Sequence, residues 1–436
     1  MRIACYAYIE PSSGSIAAHG HLLVQELLRR GHEIELFSRR SFVYPEDLLE
    51  AYPNLGYTEV SGRVTRMFDA GLDGSAAERE GPARILAARF RHAVFSRDVV
   101  RAMRRAHAQR PFDRVLYVGT ACFGRVAELP TVSWVQGAPG SDVRSLQRHA
   151  GLIRESEGTA RWIMLRGYGL FRLTAGLPPF RHSDRLIVGS RVSRGVLAER
   201  FGIAEDRLSS LPYIIDTDQY RVRQEPPSKD GVLRVLWLGR IVPRKRLDLL
   251  LTATAQALAA GCDLDVTVVG GFGFTPGMRR LIAEFPQSAR LRYIPGVPRE
   301  QTGDLLRETD LLVQPSEEED FGSSVAEAML CGTPVIVGRT NGTGDYLCPR
   351  SLRLQEDSPE ELCDAFVEAM RRKRAGELAD PAATRASAER WFGVSGVTDA
   401  VEAILEQAGQ PPNATKPGGV QDAASNHGGV PGLTGA

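Results

Sequence analysis

Short apolar runs of strand character alternate with amphipathic helical segments along most of this chain. That alternation constrains the fold strongly, because neighbouring parallel strands can be joined only by long crossovers, usually helices. The run RIACYAYI gives way to the loop EPSSGS, then to a helical segment from about Ile16 to Arg30 with Leu22, Leu23, Leu27 and Leu28 on one face. Gly31 stops it, and the strand EIELFS follows. The alternation recurs at RVLYVG, TVSWVQG and RLIVGS, the last leading into the helix SRGVLAERFG. After the polar, proline-bearing stretch RVRQEPPSKDG a second series begins. Its strands LRVLWLGR, DVTVVGG, LRYIPG, LLVQPS and TPVIVG alternate with helices LDLLLTATAQALAAG, one around MRRLIAEF, GDLLRETD and SVAEAMLCG. Two such series predict an α/β protein of two doubly wound, Rossmann-like domains facing each other across a cleft: an N-terminal domain over 1–220, a linker over 221–231 and a C-terminal domain over 232–390. A helix over 391–409, WFGVSGVTDAVEAILEQAG, is expected to close the ordered part, and the Gly- and Pro-rich stretch 410–436 reads as a disordered tail.

The length of 436 residues suits two domains, and 43% hydrophobic with 25% charged residues is ordinary for a globular chain. A formal net charge of +1 gives no broad basic field, which argues against a dedicated nucleic-acid binder. Of the 54 basic residues only Lys229, Lys245, Lys373 and Lys416 are lysines. Lys229 falls in the linker, Lys416 in the tail and Lys373 in the surface-like run RRKR, so Lys245 alone sits at a ligand-binding edge. The six cysteines are scattered without metal spacing and read as small buried apolar residues. The start of the chain has no signal-peptide pattern, and no apolar run is long enough to span a bilayer, so a cytoplasmic protein is expected. Residues 84–110 carry eight Arg against one Asp, and residues 161–180 mix aromatics with Arg. Such segments suit either a solvated helical face or peripheral contact with anionic lipid.

The segment PSEEEDFGSSVAEAMLCGTPVIVG, residues 315–338, carries the most chemistry. Glu319 lies in the loop after a strand and Glu327 eight residues on, inside the next helix. Between them Phe321, Gly322, Ser323 and Ser324 present backbone N–H groups at a helix N-terminus, where an anion such as a nucleotide diphosphate fits. Gly322 lets a ligand approach the backbone closely. The alternative is a helix whose acidic residues merely favour its dipole. In WLGRIVPRKRLDLLL, Arg240 and Lys245 share the loop above the carboxyl edge of the sheet, where two cations would neutralise a diphosphate; PRKR also reads as a solvated loop.

The order of LGRIVPRKRLDLLL, VVGGFGF and LRYIPGVPREQTGDLLRETDLLVQPSEEEDFGSSVAEAMLCGTPVIVGRTNG resembles the nucleotide-sugar-binding half of the retaining GT-B glycosyltransferases of family 4. The resemblance extends upstream through SDRLIVGSRVSRGVLAERFGIAEDRLSSLPYIIDTDQY and, at the start, SSGSIAAHGHLLVQELLRRGHEIELFS. It implies that Glu319 contacts the transferred sugar, Glu327 the ribose, and Arg240 and Lys245 the diphosphate. It further implies donor contacts from Gly239, from the loops containing Gly271, Phe272 and Pro295, and from the backbone of Phe321, Gly322, Ser323, Ser324 and Val325. Gly14 matches the first of the family's glycine pair, and Ser15 replaces the second. On the acceptor side, where many relatives carry a catalytic His, VSWVQGAPGSD offers Gln136 and Asp142, and His19 lies in the first helix. The resemblance implies a retaining, metal-independent transferase with no permanent cofactor, which moves a sugar from a UDP- or GDP-linked donor to a small-molecule or glycan acceptor. A nucleotide-sugar 2-epimerase on the same fold and a transferase acting on lipid-linked acceptors are the alternatives. A P-loop NTPase is excluded, since no GxxxxGK[ST] occurs.

Overall fold

The computed structural model describes residues 1–9, 14–38, 45–60, 82–119, 123–174, 180–224 and 230–410. The tail beyond 410, Cys122, Lys229, Lys416 and parts of the first loop and the linker lie outside the described residues.

Two parallel sheets organise the protein. The first contains β1 (Arg2–Ala7), β2 (Glu33–Ser38), β3 (Leu55–Glu59), β4 (Arg114–Val118), β5 (Thr131–Trp134), β6 (Arg185–Val188) and β7 (Leu208–Ser210), in the order β3-β2-β1-β4-β5-β6-β7. The second contains β8 (Leu233–Leu238), β9 (Leu264–Val269), β10 (Leu291–Ile294), β11 (Leu311–Gln314), β12 (Val335–Val337) and β13 (Leu352–Arg353), in the order β10-β9-β8-β11-β12-β13. Every strand pair among the described residues is parallel, and the central strands, among them Val115–Val118 and Leu311–Gln314, are buried along their length, as a sheet covered by helices on both faces demands. Each order reverses beside the domain's first strand, between β1 and β4 and between β8 and β11. Open α/β sheets bind ligands outside the carboxyl ends of strands at such a point. The loops after β8 and β11, which carry Lys245 and Glu319, meet there.

Sequence patterning did not reveal β3, β7 or β13, which are short or mixed in polarity. The closing helix also differs from expectation. It is two helices, Pro381–Phe392 and Val394–Gln407, broken at Gly393 in extended conformation. A Cβ at Gly393 would lie 2.5 Å from the Glu389 carbonyl oxygen. The Val394–Gln407 helix lies on the first domain: Arg30 donates to Asp399 at 2.5 Å and Glu402 at 2.6 Å, His32 pairs with Glu402 at 2.6 Å, and Arg114 Nε donates to the Leu405 carbonyl. Its buried Val397, Val401, Ile404 and Leu405 share one apolar cluster with Leu23, Leu27 and Trp134 of the first domain and Phe321 and Tyr346 of the second. Burial of side chains of this size contributes about 1.5–3 kcal/mol each, so this helix fastens the domains together.

Lys373 is not at the surface. Its ammonium is fully buried, donates to Asp310 Oδ2 at 2.5 Å and to the Val232 carbonyl, and lies 3.2 Å from Asp230. The run RRKR alternates faces at helical spacing, and its third residue turns inward to meet the carboxylate that precedes β11. Cys5, Cys262, Cys331 and Cys348 are buried and Cys363 is partly so.

Candidate functional site

The loop after β8 folds as a 3-10 turn, Pro243–Lys245, followed by Arg246 in the left-handed region at φ 51°. The turn decides which cations point inward. Lys245 Nζ lies 2.5 Å from Glu319 Oε2, and Arg244 Nη1 donates to the same oxygen at 2.6 Å. Arg240, in the irregular stretch between β8 and the turn, is exposed, and its positive charge is felt at Lys245. Burial pushes the Lys245 ammonium below its ordinary pKa, with Glu319 opposing that shift. Burial also works to raise the Glu319 carboxyl, but the charges of Arg244 and Lys245 outweigh it and hold the group at about 2. Glu319 is therefore an anion, fixed between two cations at the carboxyl edge of the second sheet.

Beside it begins the helix Ser323–Leu330. Its N-cap is Gly322 in the left-handed region at φ 80°, with no side-chain cap. A Cβ at Gly322 would meet Asn341 Oδ1 and Thr343 Oγ1 at 3.1 Å and Gln314 Oε1 at 3.3 Å, so the turn is closed to larger residues. Ser324 Oγ bonds Gln314 and the Leu238 carbonyl, which ties the first turn to the ends of β8 and β11. Val325 and the Phe321 ring are buried in the core, the latter stacked on Tyr213 at 4.9 Å. The first-turn backbone at Ser323 and Ser324 thus sits next to the cation pair. Glu327 is buried one turn deeper; burial raises its pKa, opposed by the Arg299 charge and a hydrogen bond to Tyr220.

The third wall comes from the loops after β9 and β10. Gly270 lets these strand ends close up, since a Cβ there would lie 1.8 Å from the Gly239 carbonyl oxygen. Phe272 bridges to Ile241 and packs on Tyr293 at 5.6 Å, whose hydroxyl donates to the Gly270 carbonyl. Gly271 lies against the Pro295 carbonyl.

The first domain meets this edge directly. Asp142, in the first turn of the helix Ser141–Arg148, accepts from Arg244 Nε at 3.1 Å. Arg144 donates to Glu318 at 2.7 Å, Arg148 to Glu317 at 2.8 Å, and His149 pairs with Glu317 at 2.7 Å. Asp320 reaches the other way, accepting from the Gly189 N–H at 3.0 Å and the Tyr213 hydroxyl at 2.7 Å. Gln136 is exposed just beyond β5, and Gly14 caps the helix Ser15–Arg29 at φ 126°. His19 is fully buried between Trp134 and Tyr213; its Nδ1 accepts from the Ile214 N–H at 3.0 Å, and burial lowers its pKa to about 3, so the ring is neutral. Sequence reasoning did not single out Arg244, Asp320 or Tyr213. The signal for Arg244 was the basic run PRKR itself, in which nothing but the turn geometry distinguishes the inward residues.

Two facing parallel α/β domains with the cleft at their carboxyl edges define the GT-B fold, and the solved structures agree. Sucrose-phosphate synthase from Thermosynechococcus elongatus superposes with a TM-score of 0.64 at 17% identity, over 93% of this chain and 98% of that one. Anabaena HepE in complex with UDP and glucose superposes with a TM-score of 0.59 at 16% identity, over 93% and 100%. Residues 218–386 match the family described as glycosyl transferases group 1. Among curated proteins, the D-inositol 3-phosphate glycosyltransferase of Nocardia farcinica is 28% identical over 73% of this chain and 68% of its own. The enzyme of that name from Rhodococcus erythropolis is 32% identical over 37% of this chain; the match spans only 40% of that relative's length. Among the described residues no group of three His, Cys, Asp or Glu is placed to hold a metal ion, and no helix is long and apolar enough to cross a membrane.

Proposed function

We propose that this protein is a retaining glycosyltransferase that uses a nucleotide-diphosphate sugar, UDP- or GDP-linked. The observation that carries the reading is the pairing of Lys245 with Glu319 beside the uncapped N-terminus of Ser323–Leu330. In the reaction the acceptor oxygen bonds to the anomeric carbon, the bond from that carbon to the phosphate oxygen breaks, and the acceptor proton passes to the leaving phosphate on the same face. Negative charge grows on the diphosphate as it leaves. Lys245, Arg240 and the N–H groups of Ser323 and Ser324 stabilise it in this reading, which is usually the largest contribution a protein makes to such a step. These cations do the work without a metal. Glu319 orients the sugar, Glu327 takes the ribose, and the loops at Gly271, Phe272 and Pro295 line the base. Gly14 and Ser15 of the first domain and Gly239 of the second are assigned to the diphosphate in the same reading. Gln136 and Asp142 belong to the acceptor side, and His19, neutral and with its Nδ1 committed to the backbone, holds the first helix against the 211–215 segment. Thermal-shift screening against UDP- and GDP-sugars tests the donor. Inositol phosphates, the substrates that the relatives' names suggest, are the first acceptors to try, with the anomeric configuration of the product read by NMR; an inverted product would sink the retaining mechanism.

A peripheral membrane contact is the second reading, and it rests on the helix Thr159–Thr174. There Ile163 and Met164 are 58% and 50% exposed, while Arg166 of the same helix and Arg154 of the preceding helix Ala150–Glu157 lie over the Trp162 ring at 5.4 and 5.2 Å. Flotation with phosphatidylglycerol vesicles at low and high salt, using wild type and Ile163→Asp, checks it: binding that the substitution leaves untouched would exclude this surface.

A further inference from the structure

Arg244 stands between carboxylates of different domains. Nη1 donates to Glu319 Oε2 at 2.6 Å in the second domain, and Nε donates to Asp142 Oδ1 at 3.1 Å in the first. The Arg244 and Glu319 side chains keep 12% and 13% of their exposure, while that of Asp142 keeps 47%. The Arg244 carbonyl accepts from the Glu317 N–H at 2.8 Å, so its backbone is fixed to the loop that carries Glu319. Burial works against its charge, but Glu319 and Asp142 more than restore it, and the group is held above its ordinary pKa. A guanidinium fork has donors in fixed directions and can hold two carboxylates at a set angle, which an ammonium cannot. The four charges of Arg244, Lys245, Glu319 and Asp142 balance.

We propose that Arg244 is a positioning residue: it fixes the Glu319 carboxylate against the transferred sugar, and its bond to Asp142 makes that grip depend on closure of the two domains. The proposal rests on the reading of Lys245 and Glu319 as a nucleotide-sugar site and goes beyond it by separating the grip on the sugar from the grip on the nucleotide. With the domains apart, Asp142 leaves with the first domain and Arg244 loses one of its two anchors, so a donor is bound but its sugar is not oriented. Because Arg144, Arg148 and His149 pair independently with Glu318 and Glu317, replacing Asp142 removes the Arg244 link while the domains remain in contact.

Calorimetric titration of the full chain with UDP, GDP, UDP-glucose and GDP-mannose tests this, the readout being the extra affinity that the sugar adds to the nucleotide. Arg244→Met should leave nucleotide affinity within about threefold of wild type and abolish the sugar's increment, about tenfold for one charge-assisted contact. Asp142→Asn should remove most of that increment, the double variant should match Arg244→Met, and Arg244→Lys should recover part of it and be insensitive to Asp142→Asn. Loss of nucleotide affinity in Arg244→Met in step with the increment would make Arg244 a diphosphate ligand and overturn the proposal. An increment missing in wild type, unchanged in Asp142→Asn, or lost multiplicatively in the double variant would overturn it too. If wild type binds none of the four compounds, the nucleotide-sugar reading falls, and the proposal with it.

Discussion

The Tyr213 hydroxyl donates to Asp320 Oδ2 at 2.7 Å and so ties the segment that leaves the first domain to the second-domain loop next to Glu319. Asp320 is enclosed: the Gly189 N–H, Ser193 and Tyr213 donate to it, and the Glu319 charge repels it. Burial dominates and pushes its carboxyl up to about 6 from an ordinary 3.8. The folded state therefore holds this proton more tightly than the unfolded chain. The group contributes most to stability below about pH 4, and that contribution is lost as pH rises through about 6. Asp320→Asn should then gain on wild type between pH 4 and pH 7 by on the order of 2–3 kcal/mol, read from melting curves of both proteins across that range. A stability difference that does not change with pH would refute the assignment.

Lys245→Ala removes one of the two cations on Glu319 and leaves Arg244 in place. The fold should survive, with a melting temperature close to wild type. Turnover of the donor should fall about 100- to 1,000-fold, the usual cost of deleting one group that stabilises developing negative charge. Steady-state kinetics beside circular dichroism check both halves, and near-normal turnover in a folded variant would rule out the clamp.

The two βα series were legible because buried parallel strands are continuous apolar runs and their crossover helices keep a 3.6-residue period. The strands that escaped notice, β3 with its LGYTE sequence and the two-residue β13, are too short or too polar to carry a period. Glu319 and Lys245 stood out by their place after strands. Arg244 did not, since Arg244, Lys245 and Arg246 are equivalent on paper until a Pro-initiated 3-10 turn and a left-handed residue aim them separately. Asp142, read as an acceptor-side residue, meets Arg244 through domain packing, which no local pattern encodes. The break at Gly393 was hidden by a helical period that runs across it.

Gly322 combines φ 80° with three polar atoms at 3.1–3.3 Å from any added Cβ, and two of them, Asn341 Oδ1 and Thr343 Oγ1, belong to side chains that bond each other's segment or the Gly322 carbonyl. Gly322→Ala meets both the backbone strain and the crowding, so it should cost about 1–3 kcal/mol. It should also weaken nucleotide binding by displacing the N–H groups of Ser323 and Ser324. Denaturant titration and nucleotide calorimetry on the same sample separate the two effects; a variant as stable as wild type would show that the turn tolerates a side chain.

Lys373 and Asp310 form a buried ion pair at 2.5 Å, with Arg234 N–H also donating to Asp310 at 2.9 Å. Lys373→Met takes away the nearer cation and leaves the buried Asp310 carboxylate with the Arg234 backbone N–H and, at 3.8 Å, the Arg234 guanidinium, which should destabilise the second domain by about 3 kcal/mol. Removing both charges is a different experiment. In Lys373→Met/Asp310→Leu no ion is stranded, and apolar contacts replace the pair, so the double variant should lose less than the single one despite carrying two substitutions. Urea unfolding followed by the fluorescence of Trp237, which is buried in β8, measures both. A double variant less stable than Lys373→Met would mean that Asp310 holds the segment through Arg234 independently of the lysine.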